Sequence, residues 1–198
     1  MTILKLARTF ISRTRLPGRY ILAEMAAKLF APPTGVVEGE LGGFRLTLDF
    51  SDSIQRQIYF GLYDQPETAL LGRLLRPGDV FLDVGANVGY YSLIASQNVG
   101  LKGQVHAFEP IAKNVRTLTR TIAENGISNI FVNQVAVGAQ AGSLDLFVSD
   151  GDIGNSGWAS IVPSERRPRT VAGSLSPPGP GGADPEYSGK NAVMISDV

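Results

Sequence analysis

Val80-Phe-Leu-Asp-Val84 is a short apolar run holding one acid, and Gly85-Ala-Asn-Val-Gly89 follows it immediately. Such a run closed by glycines predicts a buried strand and then a tight turn. Tyr90 to Gln97 continues with helical spacing, so the unit reads strand, glycine loop, helix. Glycines at such a turn let a ligand approach the backbone where a Cβ would collide. The helix that follows offers unpaired N–H groups to a carboxylate or phosphate.

The same unit recurs. Gln104-Val-His-Ala-Phe108 predicts a second strand ending at Glu109-Pro110, and Ala112 to Asn125 a second helix stopped by Gly126. Residues 129–136 predict a third strand, and Ser143 to Val148 a fourth. Strands alternating with helices imply βαβ units, right-handed crossovers and a parallel sheet. Upstream, residues 3–15 and 20–30 have helical apolar spacing, broken by Pro17-Gly18 and ended by Pro32-Pro33. Gly43 to Asp49 alternates as a strand, and Ile54 to Tyr63 reads as a turn or short helix. Glu67 to Leu75 places Leu70, Leu71, Leu74 and Leu75 on one helical face.

These readings divide the chain into four parts. Residues 1–39 are a helical segment, 40–162 the ligand-binding α/β domain, 163–191 a mobile Pro/Gly-rich loop, and 192–198 the start of a further strand. There is no internal repeat at solenoid periods.

Composition removes several classes of function. Eighteen basic and eighteen acidic side chains balance, which argues against a nucleic-acid binder. No cysteine is present, so a disulfide framework, a cysteine–zinc site and a thiol nucleophile are excluded, and one histidine is too few for a multi-histidine metal site. Asp145, Asp150 and Asp152 near Gly151-Asp-Ile-Gly-Asn155 lack the spacing of a calcium loop and read as a solvated turn, so no metal is expected. No run is long enough to cross a membrane, and Glu24 and Lys28 interrupt the apolar stretch a secretory leader would need. A cytoplasmic protein is expected. Lys5, Arg8, Arg13, Arg15 and Arg19 precede any acid, which we read as a solvated basic helix rather than a lipid or partner surface.

The chemistry concentrates at the glycine loop. A dinucleotide fingerprint would read Gly-x-Gly-x-x-Gly, but Asn87 stands at its second glycine and Tyr90 at its third. Asp83, just before the loop, suits a ligand with cationic groups better than a pyrophosphate. Glu109 lies twenty residues after Gly89, at the end of the next strand. A carboxylate there accepts hydrogen bonds from ribose hydroxyls in nucleotide-binding βαβ units. The alternative is an acid favoured by the helix dipole; its pairing with Asp83-x-Gly-x-Asn-x-Gly favours a ligand.

Taken together, these residues resemble the N-terminal half of a class I S-adenosylmethionine-dependent methyltransferase, and more narrowly the FkbM family. The resemblance covers residues 40–162. It rests on Gly78 to Leu93, on Val105-His-Ala-Phe-Glu-Pro110, and on Asn133-Gln-Val-Ala-Val-Gly138. Ile58-Tyr-Phe-Gly-Leu-Tyr-Asp64 matches the family's preceding segment, with Asp64 where Glu is usual.

The resemblance implies an α/β, Rossmann-like sheet with helices on both faces, incomplete at the C-terminus. It implies S-adenosylmethionine as cofactor, with Asp83, Gly85, Asn87 and Gly89 at its methionine end, Glu109 at the ribose, and Ala136 and Val137 near the adenine. The expected acceptor is a hydroxyl on a sugar, polyketide or similar metabolite, or on a glycan. No catalytic base is assigned: His106 reads as a packed strand residue and Trp158 as packing, while one ring of Tyr90 or Tyr91 is placed to face the site. Val193-Met-Ile-Ser-Asp-Val198 looks like the start of the family's next strand. A sheet left open there invites self-association. Two other readings stand beside this one: a non-catalytic cofactor-binding remnant, and a nicotinamide-dependent oxidoreductase.

Overall fold

The structure is a computed structural model of the 198-residue chain. It describes residues 2–14 and 16–138, and the strand backbones at 142–149, 159–160, 168–175 and 192–196. Helices α1 (Ile3–Arg13) and α2 (Arg19–Phe30) lead into a hairpin of β1 (Val36–Leu41) and β2 (Phe44–Asp49), then α3 (Ser53–Phe60) and α4 (Gln65–Leu74). The α/β units follow as β3 (Val80–Val84), α5 (Tyr90–Val99), β4 (Gln104–Phe108), α6 (Ala112–Asn125) and β5 (Ile130–Asn133). The remaining strands are β6 (Gly142–Ser149), β7 (Ala159–Ser160), β8 (Pro168–Leu175) and β9 (Ala192–Ser196).

Four strands form the central sheet in the order β5-β4-β3-β9, every pair parallel. Val80 pairs with Gln104 on one side and Ala192 on the other, so β3 is flanked on both edges. The run at 192–196 is the fourth strand of this sheet. Phe81, Val105 and Ala107 are fully buried on the face that also carries Asp83, whose side chain meets Ser92 of α5. Right-handed crossovers bring α5 and α6 to this same face. On the opposite face Leu82, Val84, His106 and Phe108 are half-buried, and Phe131 is exposed.

Two expectations need correction. Residues 143–148 do not extend the parallel sheet. Strand β6 pairs antiparallel with β8 and β7 in a separate three-stranded sheet. Only eight residues separate β5 from β6, below the dozen or so that a parallel crossover requires. The Pro/Gly-rich stretch also holds more order than expected, because Pro168–Leu175 is the long partner of β6. Residues 163–167 and 176–191 lie outside the described residues.

Upstream, the sequence reading finds β2 but not β1. Their register closes at Leu41 opposite Phe44, leaving the two-residue loop Gly42-Gly43. Both glycines have positive φ, +57° and +90°, as a type I′ hairpin turn demands. The boundary at residue 39 falls within β1. In α4, Leu71 and Leu75 are buried while Leu70 and Leu74 are exposed, so only half of the expected face packs inward. Phe50, Tyr59 and Phe60 form an edge-to-face aromatic cluster beside the hairpin.

Side-chain amides lock these layers together. Asn125 at the end of α6 accepts from the Arg45 N–H and donates to the Arg45 carbonyl, each at 2.8 Å, as a neighbouring strand would. Gln97 of α5 donates to the Gly42 carbonyl. Asn129, buried just before β5, donates to the carbonyls of Ser96 (3.0 Å) and Gly100 (2.9 Å) and accepts from the Ser96 hydroxyl at 2.7 Å. One amide thus satisfies the end of α5. Asn129→Leu would leave the buried Ser96 hydroxyl without its acceptor, at about 1–3 kcal/mol, and would take one of two donors from each of the Ser96 and Gly100 carbonyls, which keep the Gly100 and Gly103 N–H groups. We expect a loss of about 2–4 kcal/mol in urea unfolding with an unchanged m-value; an unchanged midpoint would show that water replaces the amide.

Candidate functional site

The site lies where β3 and β4 end side by side. Past β3 the chain curls through Gly85 (φ +80°), Asn87 (φ +50°) and Gly89 (φ +89°) before entering α5. Asn is the non-glycine residue that best tolerates this conformation. The N–H groups of Gly85 and Ala86 both donate to the Phe108 carbonyl, at 2.9 and 3.0 Å, tying the loop to the tip of β4. Gly89 also has a packing reason. A Cβ there would lie 2.3 Å from Leu118 Cδ1 of α6, which is wholly buried.

Glu109 is the first residue beyond β4 and is 4% exposed. Its Oε2 accepts from the Asn87 N–H at 2.8 Å. Its Oε1 accepts from the Ile111 N–H at 2.9 Å and from Asn114 Nδ2 at 3.3 Å. Burial pushes its carboxyl above the ordinary range, and the three donors oppose that shift without cancelling it. A carboxylate has about four acceptor positions, so the three donors leave room for about one more. The bond to Asn87 brings the two sequence signals, loop and acid, into direct contact.

Asp83 is placed differently. It is 2% exposed and accepts from the equally buried Ser92 hydroxyl at 2.5 Å. Its carboxylate thus sits beneath the loop, bracing β3 against α5. Beyond Glu109, the Glu109 N–H donates to the Asn133 carbonyl at 3.0 Å, so the end of β5 adjoins the site. Three and four residues further on come Ala136, partly buried, and Val137, exposed.

The aromatic pair at the start of α5 reaches outward. Tyr90 Oη donates to the Tyr63 carbonyl at 3.0 Å and shares a 3.0 Å bond with Thr68. Tyr91 Oη donates to Asp64 Oδ2 at 2.9 Å. Both rings therefore anchor the chain before α4 to the helix that opens at the loop. Burial, with the charges of Asp64 and Glu67, holds the Tyr90 phenol above its usual range despite Thr68. His106 stacks on Phe131 at 5.2 Å between centroids, and burial lowers its pKa. It is a packed strand residue, as expected.

Asp150, Asp152 and Trp158 lie outside the described residues, as does the side chain of Asp145. Among the described residues no cluster of acids or histidines could hold a metal ion. Sequence reasoning missed Ser92, Asn114, Tyr63 and Thr68. Only Asn114 carried a signal, as a polar residue in the first turn of the helix after Glu109.

The donor set selects a ligand class. No basic residue occurs between Arg76 and Lys102, so the loop offers no cation to a pyrophosphate. It offers a close-approach backbone, helix N–H groups and the buried Glu109 carboxylate, whose three donors leave room for about one more. A nucleoside bearing hydroxyls and a positive charge fits this donor set.

Comparison with known proteins gives a family match. The protein-L-isoaspartate(D-aspartate) O-methyltransferase (PCMT) family profile matches residues 66–177. No protein of curated function matches the chain. Among solved structures, the chain is similar to a SAM-dependent methyltransferase from Aquifex aeolicus, at 31% identity over 35% of this chain and 37% of that one, with a TM-score of 0.33. It is similar to TYW2 of P. horikoshii, solved with MeSAdo, at 14% identity over 68% and 64% of the two chains, with a TM-score of 0.42. It is similar to Trm5b of Pyrococcus abyssi at 18% identity over 55% and 32%, with a TM-score of 0.42. In each case the chain spans less than two thirds of the other's length. The profile match takes in β3, the glycine loop, Glu109 and β5, over more than half of the sequence, and the chain belongs to the PCMT methyltransferase family.

Proposed function

We propose that the chain is an S-adenosylmethionine-dependent O-methyltransferase of FkbM type, its acceptor a hydroxyl on a sugar, polyketide or related metabolite. The observation that carries the cofactor reading is the 2.8 Å bond from the Asn87 N–H to the Glu109 carboxylate. It brings the glycine loop and the acid into direct contact, as one nucleoside site requires.

When bound, the cofactor supplies a methyl group on a sulfonium, a good leaving group, for in-line displacement by an acceptor oxygen. The chain's own task is alignment. Glu109 accepts from a ribose hydroxyl at its remaining acceptor position. Gly85 and Gly89 admit the methionine portion against the backbone, with Asn87 fixing the turn between them. Asp83 holds the loop on α5 through Ser92. Ala136 and Val137, past the end of β5, offer an apolar edge to the adenine. With balanced charge and no cysteine, we place the protein in the cytoplasm with a small-molecule or glycan acceptor rather than a nucleic acid.

A second acceptor is favoured by one observation. The matching family is described by methylation of isoaspartyl carboxylates. An acceptor panel containing sugar hydroxyls and an isoaspartyl peptide separates the two. Transfer to neither, with the cofactor product still bound, assigns the chain as a binding remnant.

Calorimetric titration tests the cofactor itself. S-adenosylhomocysteine is expected to bind and NAD not to; the reverse would overturn the reading. Glu109→Ala removes a charged acceptor and should weaken S-adenosylhomocysteine by about 1.5–3 kcal/mol, roughly tenfold or more. An unchanged dissociation constant would take Glu109 out of the site.

The pH dependence has a fixed sign. Free Glu109 keeps its proton to higher pH than an ordinary glutamate, whereas a ribose donor requires the carboxylate. Affinity should be full above the raised pKa and fall by up to about tenfold per pH unit below it. This slope should vanish in Glu109→Ala.

A further inference from the structure

The two N-terminal helices pack in an unusual sense. In α2 the residues turned inward are small, Ala23, Ala26 and Ala27, and Ala27 is only 4% exposed. The large apolar residues turn outward: Ile21 is 67% exposed, Leu29 68% and Met25 53%, with Leu22 beside them. At 100° per residue these four share one side of the helix. In α1, Leu4 and Ile11 are buried, while Ile3, Leu6 and Phe10 form a second, exposed apolar stripe at i, i+3 and i+7. Ten of the sixteen exposed large apolar side chains among the described residues fall within residues 3–30. A helix that is apolar on both sides is normally covered on both.

Charge identifies the cover. Residues 1–30 hold Lys5, Arg8, Arg13, Arg15, Arg19 and Lys28 against the single acid Glu24. That acid is already neutralised by Arg56 at 2.9 Å. Among the described residues none of Lys5, Arg8, Arg13, Arg19 and Lys28 takes part in an ion pair. Arg8 and Arg19 instead lie over the rings of Tyr59 and Tyr20. A groove of about 580 Å³ runs along α2 between Ile21, Glu24, Met25, Lys28, Phe50 and Arg56. The surface is therefore apolar, cationic and grooved.

We propose that α1 and α2 dock the protein on an anionic bilayer surface, their outward Ile, Leu, Met and Phe side chains entering the headgroup–acyl boundary while Lys5, Arg13 and Lys28 meet lipid phosphates. Apolar faces flanked by lysine and arginine are what interfacial helices use. No described helix is long and apolar enough to cross a membrane, so the helices lie on it. A protein partner would need an acidic surface shaped to two helices; a charged bilayer meets both requirements with no shape of its own. The acceptor hydroxyl would then be presented close to the membrane.

Co-sedimentation of the full chain with vesicles tests this. Vesicles of about three parts phosphatidylcholine to one of phosphatidylglycerol should retain the protein about tenfold better than phosphatidylcholine alone, with most of the gain lost in roughly 0.5 M salt. The double substitution Ile21→Glu/Leu29→Glu lies on the solvent face and should lower retention about tenfold, with S-adenosylhomocysteine affinity and circular dichroism unchanged. Equal retention on both vesicle types, or retention unaffected by the double substitution, overturns the proposal. So does a lipid-free dimer that the substitution disperses without any vesicle binding, which would make the face a contact between copies.

Discussion

The buried carboxylate of Glu109 holds the site together. Three donors converge on it from three places: the glycine loop through Asn87, the turn after β4 through Ile111, and α6 through Asn114. Taking a carboxylate out of water costs several kcal/mol. Hydrogen bonds to a charged acceptor return about 1.5–3 kcal/mol each, so three donors bring the balance near even. The same bonds give the loop its shape, because the Asn87 N–H has its acceptor there. One ion thus ties the glycine loop, the turn after β4 and α6 to a single point at the tips of two neighbouring strands.

The elements legible in the sequence were those whose cause is local. The apolar runs of β3 and β4, the glycines between β3 and α5, and Gly126 at the end of α6 carry their signals within a few residues. Strand β1 was not legible. Val36-Val-Glu-Gly-Glu-Leu41 alternates poorly, and Gly39 is there because a Cβ would come within 2.8 Å of Leu48. That reason appears only once the hairpin closes. Residues 143–148 were recognisable as a strand, but periodicity says nothing about pairing direction; the short link from β5 does.

At the site, loop and acid were legible because they alternate with strands at a fixed distance. Ser92 at the site and Asn129 at the end of α5 were not. Each is an ordinary polar residue in the sequence, and its burial against a specific carboxylate or carbonyl arises from tertiary packing alone. Asp83 shows the intermediate case. The sequence marks it as the acid before the loop, while its contact with Ser92, which makes it a brace beneath the loop, comes from packing.

Asp64 sits at φ +36° at the entrance to α4, a backbone setting in which side chains are rarely found. Its carboxylate nevertheless receives the Tyr91 hydroxyl. Two demands meet at this residue: a left-handed turn, which glycine fulfils best, and an oxygen for a phenol, which glycine lacks. Aspartate answers both, and asparagine is the nearest substitute, so few side chains could keep the turn and the phenol's acceptor together. A longer acid keeps the oxygen but takes the left-handed turn less readily.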